Sequence, residues 1–377
     1  CTVLAVYENG SKPVYRWFGK KRATEFFLDA TVEHKVLQAS QKDNTPRLRG
    51  LETLGARSYL VRSDGIALDG EVYEYAFLLG LLLGDGYLAG SSLQWTCAEP
   101  DLVEEVRPYL EGLGLRITSR GIQHFLVAEV PVESFHDPLT GRFLGTNLRH
   151  PIKIELARLN LLGTKSRTKF IPSEVWAWNK ASVGQLLAGL IATDGSVFQV
   201  GGCWHLSYTS ISPSLIEGFK QLAAEVFGIY GGTIGKGSKG ILPISYGNRQ
   251  ALERLASLPV PGRKGKLLKH ISCKKNGQGT LVPFVDKQYL GELPTFDILV
   301  NHPSHQFLTG DMLTVSNSGK TILGAALTVA TALGKDYFKD EPAWSWVERL
   351  HIKPPPLNIW IVGLDFTAVR DILWFEH

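Results

Sequence analysis

Two aspartates, Asp85 and Asp194, stand in near-identical settings: each ends an apolar run and is followed by glycine. The first run reads Leu78-Leu79-Gly80-Leu81-Leu82-Leu83-Gly84-Asp85-Gly86, and the second Leu187-Ala188-Gly189-Leu190-Ile191-Ala192-Thr193-Asp194-Gly195. Both runs predict helices. Gly80 and Gly84 sit four apart, as do Ala188 and Ala192. That spacing places them on one helical face, where small residues predict two helices in close approach. Such a pair would bring both carboxylates together. Like charges repel unless a cation lies between them, and a hard divalent ion sharing phosphate oxygens suits the pair. Basic residues follow each copy: Lys165, Arg167 and Lys169, then Arg263, Lys264, Lys266 and Lys269.

A second chemistry lies at the ends. Cys1 supplies a thiol whose ordinary pKa of about 8.5 gives some thiolate at neutral pH, so it can attack a preceding carbonyl. Near the far end stands Asn317-Ser318. An asparagine amide can attack its own carbonyl, close a succinimide and cut the chain, and the Ser318 hydroxyl can accept an acyl group. Breaking an amide also needs acid–base help. His34, in Thr31-Val32-Glu33-His34, and Asp297 and His305, on strand-like segments, are candidates. Beyond the junction, Ser318-Gly319-Lys320-Thr321 matches the close of a phosphate loop, whose first glycine would fall where Thr314 stands.

Several elements must position these groups. Residues 1–68 read as short strands, with Glu8-Asn9-Gly10 predicting a hairpin turn between 2–7 and 14–18. Residues 74–285 alternate helical and strand patterns and repeat themselves. Pro100, Leu102, Val103, Glu104 and Val106 match Pro213, Leu215, Ile216, Glu217 and Phe219 at a constant offset, and a strand with Trp95 or Trp204 precedes each. Two copies imply pseudo-twofold duplication rather than a solenoid, which needs three or more units. The stretches 202–210 and 122–130 read as long strands, with Arg120 among few cations near them. Residues 286–317 return to strands, and an alanine-rich helical run follows.

The chain's 377 residues favour two or three domains. Hydrophobic residues at 44% and charged residues at 20% exclude wholesale disorder. The richest apolar stretch, Tyr75 to Leu83, is too short to span a bilayer, and the opening residues lack a signal-peptide pattern. Cys1, Cys97, Cys203 and Cys273 have no paired or metal-type spacing, as expected in a reducing cytosol. A net charge of +4 permits an acidic partner without demanding one. Cys1 at the start, with Met312 the single methionine, is expected of a chain that does not begin as a translated product does.

Together these motifs resemble an intein, a protein-splicing element of the Hint type, carrying a LAGLIDADG homing endonuclease. The resemblance covers residues 1–317. It implies an all-β Hint module interrupted by a pseudo-twofold α/β domain of order αββαββα, plus a partial α/β P-loop segment. The implied boundaries are 1–70 and 288–317 for the splicing module, 71–287 for the endonuclease and 318–377 for the host segment. Splicing would use thioester formation at Cys1, transesterification to Ser318 and cyclisation of Asn317. His34 would act on the scissile amide with Thr31 in support, and Asp297 and His305 would be acid–base or positioning groups. Asp85 and Asp194 would hold Mg²⁺ at a scissile phosphate, and the strands 202–210 and 122–130 would form the two halves of a DNA-facing saddle. Lys169, in Lys169-Phe170-Ile171-Pro172, resembles the family's active-site lysine, with Lys264 or Lys266 as its counterpart. One departure stands out: Ser316 occupies the place where inteins usually carry histidine, which predicts slower Asn317 cyclisation or a substitute role for His305.

The host segment resembles a P-loop ATPase such as a phage terminase large subunit, with Gly319, Lys320 and Thr321 as part of its nucleotide site. The resemblance thus implies an autocatalytic element and phosphodiester hydrolase, expected in the cytoplasm of a bacterial or phage-infected cell. Mg²⁺ would serve the endonuclease, no cofactor the splicing, and ATP only the spliced host. Partners would be double-stranded DNA and the flanking host (extein) segments, with no membrane and a monomeric chain. The competing classes are a LAGLIDADG DNA-binding protein or decayed endonuclease without cutting, and a fragment of a P-loop DNA-packaging ATPase. Cys1, Thr31/His34 and Asn317-Ser318 disfavour a DNA-binding protein without splicing, and the incomplete phosphate loop disfavours the ATPase fragment.

Overall fold

A computed structural model describes residues 3–21, 24–40, 45–90, 92–128, 134–136, 139–141, 143–146, 150–271, 280–300 and 306–316. Cys1, His305, Asn317, Ser318, Gly319, Lys320 and Thr321 lie outside them. The chain divides into two compact units, one of residues 1–18, 27–58 and 285–377, the other of 19–26 and 59–284. Among the described residues no helix is long and apolar enough to cross a membrane.

The first unit is built of strands. Its opening strands are β1 (Val3–Lys21), β2 (Thr24–Ala30), β3 (Lys35–Ser40) and β4 (Arg47–Gly50), before β5 (Ser58–Val61). The hairpin expected inside β1 does not form; the chain continues as one strand through Gly10, which takes φ +70°. Glycine absorbs the turn signal as a local kink, because it tolerates a left-handed residue without reversal. Arg16 forks onto Asp29 at 2.7 Å, tying β1 to β2.

The second unit repeats one pattern. Helix α1 (Ala76–Asp85) leads to β6 (Gly86–Tyr87), β7 (Gln94–Thr96), α2 (Pro100–Gly112), β8 (Leu115–Arg120) and β9 (Gln123–Ala128). A short pair, β10 (Ser134–His136) and β11 (Phe143–Thr146), precedes α3 (Pro151–Arg158). The pattern then returns as α4 (Lys180–Asp194), β12 (Gly195–Val200), β13 (Cys203–Ser210), α5 (Pro213–Phe227), β14 (Thr233–Ile234), β15 (Leu242–Tyr246) and α6 (Arg249–Ala256), with α7 (Gly262–Lys269) appended. The two four-stranded sheets have matching orders, β6-β7-β9-β8 and β12-β13-β15-β14.

Local sequence explains the helix boundaries. Pro100 and Pro213 both open their helices at the first turn, where a missing N–H costs nothing. Asn179, Ser212 and Asn248 accept backbone N–H groups at the starts of α4, α5 and α6. α1 and α4 have almost no polar face, and Ala76 to Leu83 are all buried. Helices apolar all round belong inside a core. They pack on each other, with the remaining helices and both sheets around them.

Three further strands close the chain's described part: β16 (Leu281–Val300), β17 (Gln306–Leu308) and β18 (Thr314–Ser316). Within the first unit β17 pairs with β18, β18 with β3 and β3 with β4. Val36, Leu51, Leu313 and Val315 are buried there.

Candidate functional site

The site of the second unit begins where α1 meets α4. Gly80 and Gly189 face each other at the crossing: a Cβ on Gly80 would lie 2.9 Å from the Gly189 Cα, and one on Gly189 2.5 Å from the Phe77 carbonyl oxygen. Both distances are below any real Cβ contact, so only glycine fits. The residue opposite Gly80 is therefore Gly189, not Ala188 or Ala192 as the four-residue spacing suggested. Ala188 and Ala192 are buried in the same core. The expectation failed because it compared spacings within each helix, whereas the crossing is set by which faces meet.

The contact continues to the helix ends. A Cβ on Gly84 would strike the Thr193 hydroxyl and lie 3.3 Å from Asp194 Oδ2. Asp194 therefore leans against the last turn of α1, next to Asp85. Gly86 and Gly195 then turn the chain into β6 and β12 so tightly that a side chain would run into Leu82 or Ile191. This is why each aspartate is followed by glycine.

The electrostatics of the pair are those of like charges brought together. Burial raises the Asp194 pKa to about 7, Asp85 raises it further, and Lys169 and Lys264 oppose. Asp85 faces solvent, but crowding by protein still raises its pKa against the pull of both lysines. Each lysine caps the C-terminus of its own repeat's helix, where the carbonyl ends of the peptide dipoles favour a cation. Lys169 is 2% exposed. Its ammonium donates to the carbonyls of Leu82, Gly84 and Gly86 at 2.8–2.9 Å. Those three bonds use all its N–H donors. Burial lowers its pKa to about 8, against the pull of Asp194 and Asp85. Its own carbonyl accepts the Ser212 hydroxyl, which also caps α5. Lys264 donates to the Ala192 and Thr193 carbonyls at 2.7 and 2.6 Å. Lys266, the other candidate for this place, is exposed on α7.

Two aromatic residues lie beneath the carboxylates, of which the sequence pattern marks Trp95 but not Tyr208. Gly86 pairs with Trp95 and Gly195 with Tyr208, so these are counterparts. Sequence similarity had set Trp95 against Trp204, but the offset relating Pro100 to Pro213 relates Trp95 to Tyr208. The β12–β13 hairpin is four residues longer than its counterpart, which displaced the tryptophan match. Both rings are buried, and among the described residues Trp95 Nε1 and the Tyr208 hydroxyl find no hydrogen-bond partner. Burial and then the fields of Asp194 and Asp85 push the Tyr208 ionisation far up, so it stays a neutral phenol.

The first unit brings other candidates together. Thr31 to His34 form a turn, with His34 N–H donating to the Thr31 carbonyl at 3.3 Å. His34 is half-buried at the start of β3. Burial lowers its pKa, while the negative charges of Asp297 and Glu33 oppose. Val315 of β18 pairs antiparallel with Val36, so the last described residue, Ser316, lies towards the His34 end of β3.

Residues 182–257, most of the second repeat, match the LAGLIDADG-like domain family. The chain is also 30% identical over 220 residues to the replicative DNA helicase DnaB of Nostoc sp. strain PCC 7120, covering 53% of this chain and 22% of that protein. It thus spans about a fifth of the length of that relative. Among solved structures it is similar to I-DmoI in complex with DNA and Ca, at 15% identity over 52% of this chain and 97% of that one, TM-score 0.35. It is also similar to the N-terminal LAGLIDADG domain of DUF199/WhiA, at 11% identity over 52% of this chain and 86% of that one, TM-score 0.32.

Proposed function

We propose that the second unit is a divalent-metal-dependent DNA endonuclease and that the strands around it form a self-splicing module. The observation that carries the nuclease reading is the Asp85–Asp194 pair at two helix ends packed through glycine. The donor set fits Mg²⁺: two carboxylates whose mutual repulsion a cation would relieve, with room for phosphate and water oxygens, which Mg²⁺ favours. Among the described residues no cluster of three or more His, Cys, Asp or Glu side chains forms a closed protein cage. When bound, the metal supplies Lewis acidity at a phosphate oxygen. Asp85 and Asp194 are the residues that would hold it. Lys169 fixes the end of α1 and thereby the Asp85 carboxylate, while contributing charge at short range. Lys264 does the same for α4 and keeps one N–H donor for substrate. The domain is read as a monomer, since both carboxylates come from one chain.

The test is cleavage of duplex DNA carrying the host sequence without the insert, in Mg²⁺. Asp194→Asn is expected to abolish cutting while DNA binding persists. Full cleavage by Asp194→Asn overturns the two-carboxylate reading. Binding by the unaltered protein without any cutting in Mg²⁺ or Mn²⁺ favours a DNA-binding protein instead.

For splicing, the reading rests on Cys1, Asn317 and Ser318 with the support of His34 beside Asp297. A neutral imidazole suits a group that must first accept a proton and then deliver it to the leaving amide nitrogen. Residues 318–377, with Gly319, Lys320 and Thr321, are then the start of the host, a P-loop ATPase of the terminase kind that binds ATP only once spliced. With a foreign segment placed before Cys1, mass spectrometry is expected to find that segment joined to Ser318. Ligation that survives Cys1→Ala overturns the assignment.

A further inference from the structure

Tyr208 does not itself hold a metal, yet it lies where it can act on a carboxylate that would. Its strand, β13, closes the corner that follows Asp194: Tyr208 pairs with Gly195, and the Thr209 hydroxyl donates to the Asp194 carbonyl at 3.3 Å. The Tyr208 ring stacks on Phe219 of α5 with centroids 4.4 Å apart, and the residue is fully buried. Among the described residues its hydroxyl has no hydrogen-bond partner. A buried hydroxyl left unpaired is costly, so it calls for an acceptor. The Tyr246 hydroxyl, on the neighbouring strand β15, is equally buried and also unpartnered among the described residues. Burial alone therefore does not single out Tyr208; the surrounding charge does. After burial, the charges that act on Tyr208 are those of Asp194 and then Asp85, whereas the charge that acts on Tyr246 is that of Glu217 on α5. The first repeat sets Trp95 in the equivalent place. There Asp85 is exposed and water can serve its carboxylate, whereas Asp194 is half-buried and depends on donors from the protein.

We propose that Tyr208 is a positioning residue of the metal centre: its hydroxyl donates to the Asp194 carboxylate, directly or across one water, and so fixes which oxygen is left for the cation. This rests on the nuclease reading above. A phenol that stays neutral keeps its proton to donate, and an ionised carboxylate only accepts. One bridging water carries such a contact nearly as well as a direct bond. Partners placed behind a metal ligand orient it, and their removal typically lowers metal affinity by about ten- to a hundredfold.

Binding of Ca²⁺ to the full chain is measured by calorimetry, and DNA cleavage is followed against Mg²⁺ concentration. Tyr208→Phe keeps the ring on Phe219 and removes only the oxygen. It is expected to weaken Ca²⁺ binding by about tenfold or more and to raise the Mg²⁺ needed for half-maximal cleavage by a similar factor. The rate at saturating Mg²⁺ and the affinity for DNA in EDTA should stay at the parent's values. Tyr246→Phe is expected to change none of these. If Tyr208→Phe does not fold, the parent and Tyr246→Phe decide: Ca²⁺ should shift the near-ultraviolet absorption of a tyrosine in both, and no shift in either overturns the proposal. Tyr208→Phe with the parent's Ca²⁺ affinity and Mg²⁺ dependence overturns it while leaving the nuclease reading in place, as does an equal loss in Tyr246→Phe or a loss confined to the rate at saturating Mg²⁺. A parent that neither binds Ca²⁺ nor cuts DNA in Mg²⁺ overturns the nuclease reading as well, and so separates the two failures.

Discussion

At the residue scale, Asp194 holds more protons folded than unfolded. Its folded pKa of about 7 lies above the ordinary carboxylate range near 4. A carboxyl raised in this way favours folding at low pH, and that contribution is lost as pH rises through about 7. Lys169 acts in the opposite sense: its pKa, lowered to about 8, favours folding above the ordinary lysine range, and the contribution is lost as pH falls through about 8. Asp194→Asn isolates the first effect. In metal-free buffer, thermal melts of Asp194→Asn and the unaltered protein should coincide below about pH 4, where the carboxyl is protonated in both the folded and the unfolded chain. The variant should melt progressively higher than the parent as pH rises to 8. Added Ca²⁺ should raise the parent's midpoint and leave the variant's nearly unmoved, and calorimetry near pH 7 should record protons released as the parent binds. A pH-independent difference between the two melts would mean that Asp194 ionises normally.

Much of this site was legible in the residues. Asp85 and Asp194 announce themselves by repetition, because a pattern occurring twice in one chain has few trivial explanations. Lys169 was legible only as a charge. That its three donors turn back onto Leu82, Gly84 and Gly86 depends on a contact between positions more than eighty residues apart. Tyr208 was hidden by the longer hairpin, which breaks the offset between Asp194 and Pro213. Sequence spacing reports neighbours along a helix or strand, and this site is assembled from four separate elements.

At the element scale, α1 and α4 illustrate how composition and geometry diverge. An apolar run predicts burial, and both helices are buried. Which face meets which was not legible, because leucine covers nearly every face of α1. The glycines decide it by steric exclusion. Glycine inside a helix normally costs about 1 kcal/mol relative to alanine, so Gly→Ala should stabilise unless the space is taken. At Gly80 and Gly189 it is taken by backbone atoms of the partner helix. Overpacking of this kind costs roughly 1–3 kcal/mol and outweighs the propensity gain. Gly80→Ala and Gly189→Ala should therefore lower stability in chemical denaturation, and Gly84→Ala should also impair cleavage by displacing Asp194. Gly112 ends α2 with open space around it, so Gly112→Ala should be neutral or stabilise by up to about 1 kcal/mol. Equal responses at Gly80 and Gly112 would remove the close crossing from the account.

At the scale of the whole chain, the second unit is entered and left along paired strands. Val61 pairs with Leu281, Leu60 with Val282 and Tyr59 with Pro283, and Arg62 N–H donates to the Thr280 carbonyl at 2.9 Å. Beyond Arg62 the incoming chain is bound tightly to the second repeat. Tyr230 donates to the Ser63 carbonyl, Arg254 to Asp64, and Ile66 N–H to the Glu225 carbonyl. Tyr73 stacks on Trp178 with ring centroids 3.9 Å apart. The sequence placed the start of the insert near residue 71–75, where the helical period begins, because a strap without periodicity leaves no sequence signal. These contacts set where the unit can be removed. Deleting 75–285 leaves Ser63 to Glu74 without the partners they bury against and takes Leu281 to Phe284 away from β5. Deleting 63–279 instead leaves Arg62 and Thr280 as a hydrogen-bonded pair, which a two-residue Asn-Gly turn can close as a hairpin. With foreign segments on both sides, the 63–279 deletion is expected to splice and to lose DNA cleavage, while the 75–285 deletion is expected to be poorly soluble. The measurement is ligated product by mass spectrometry, beside circular dichroism of each deletion. A 63–279 deletion that is folded and soluble but forms no ligated product would show that the nuclease unit supplies part of the splicing centre.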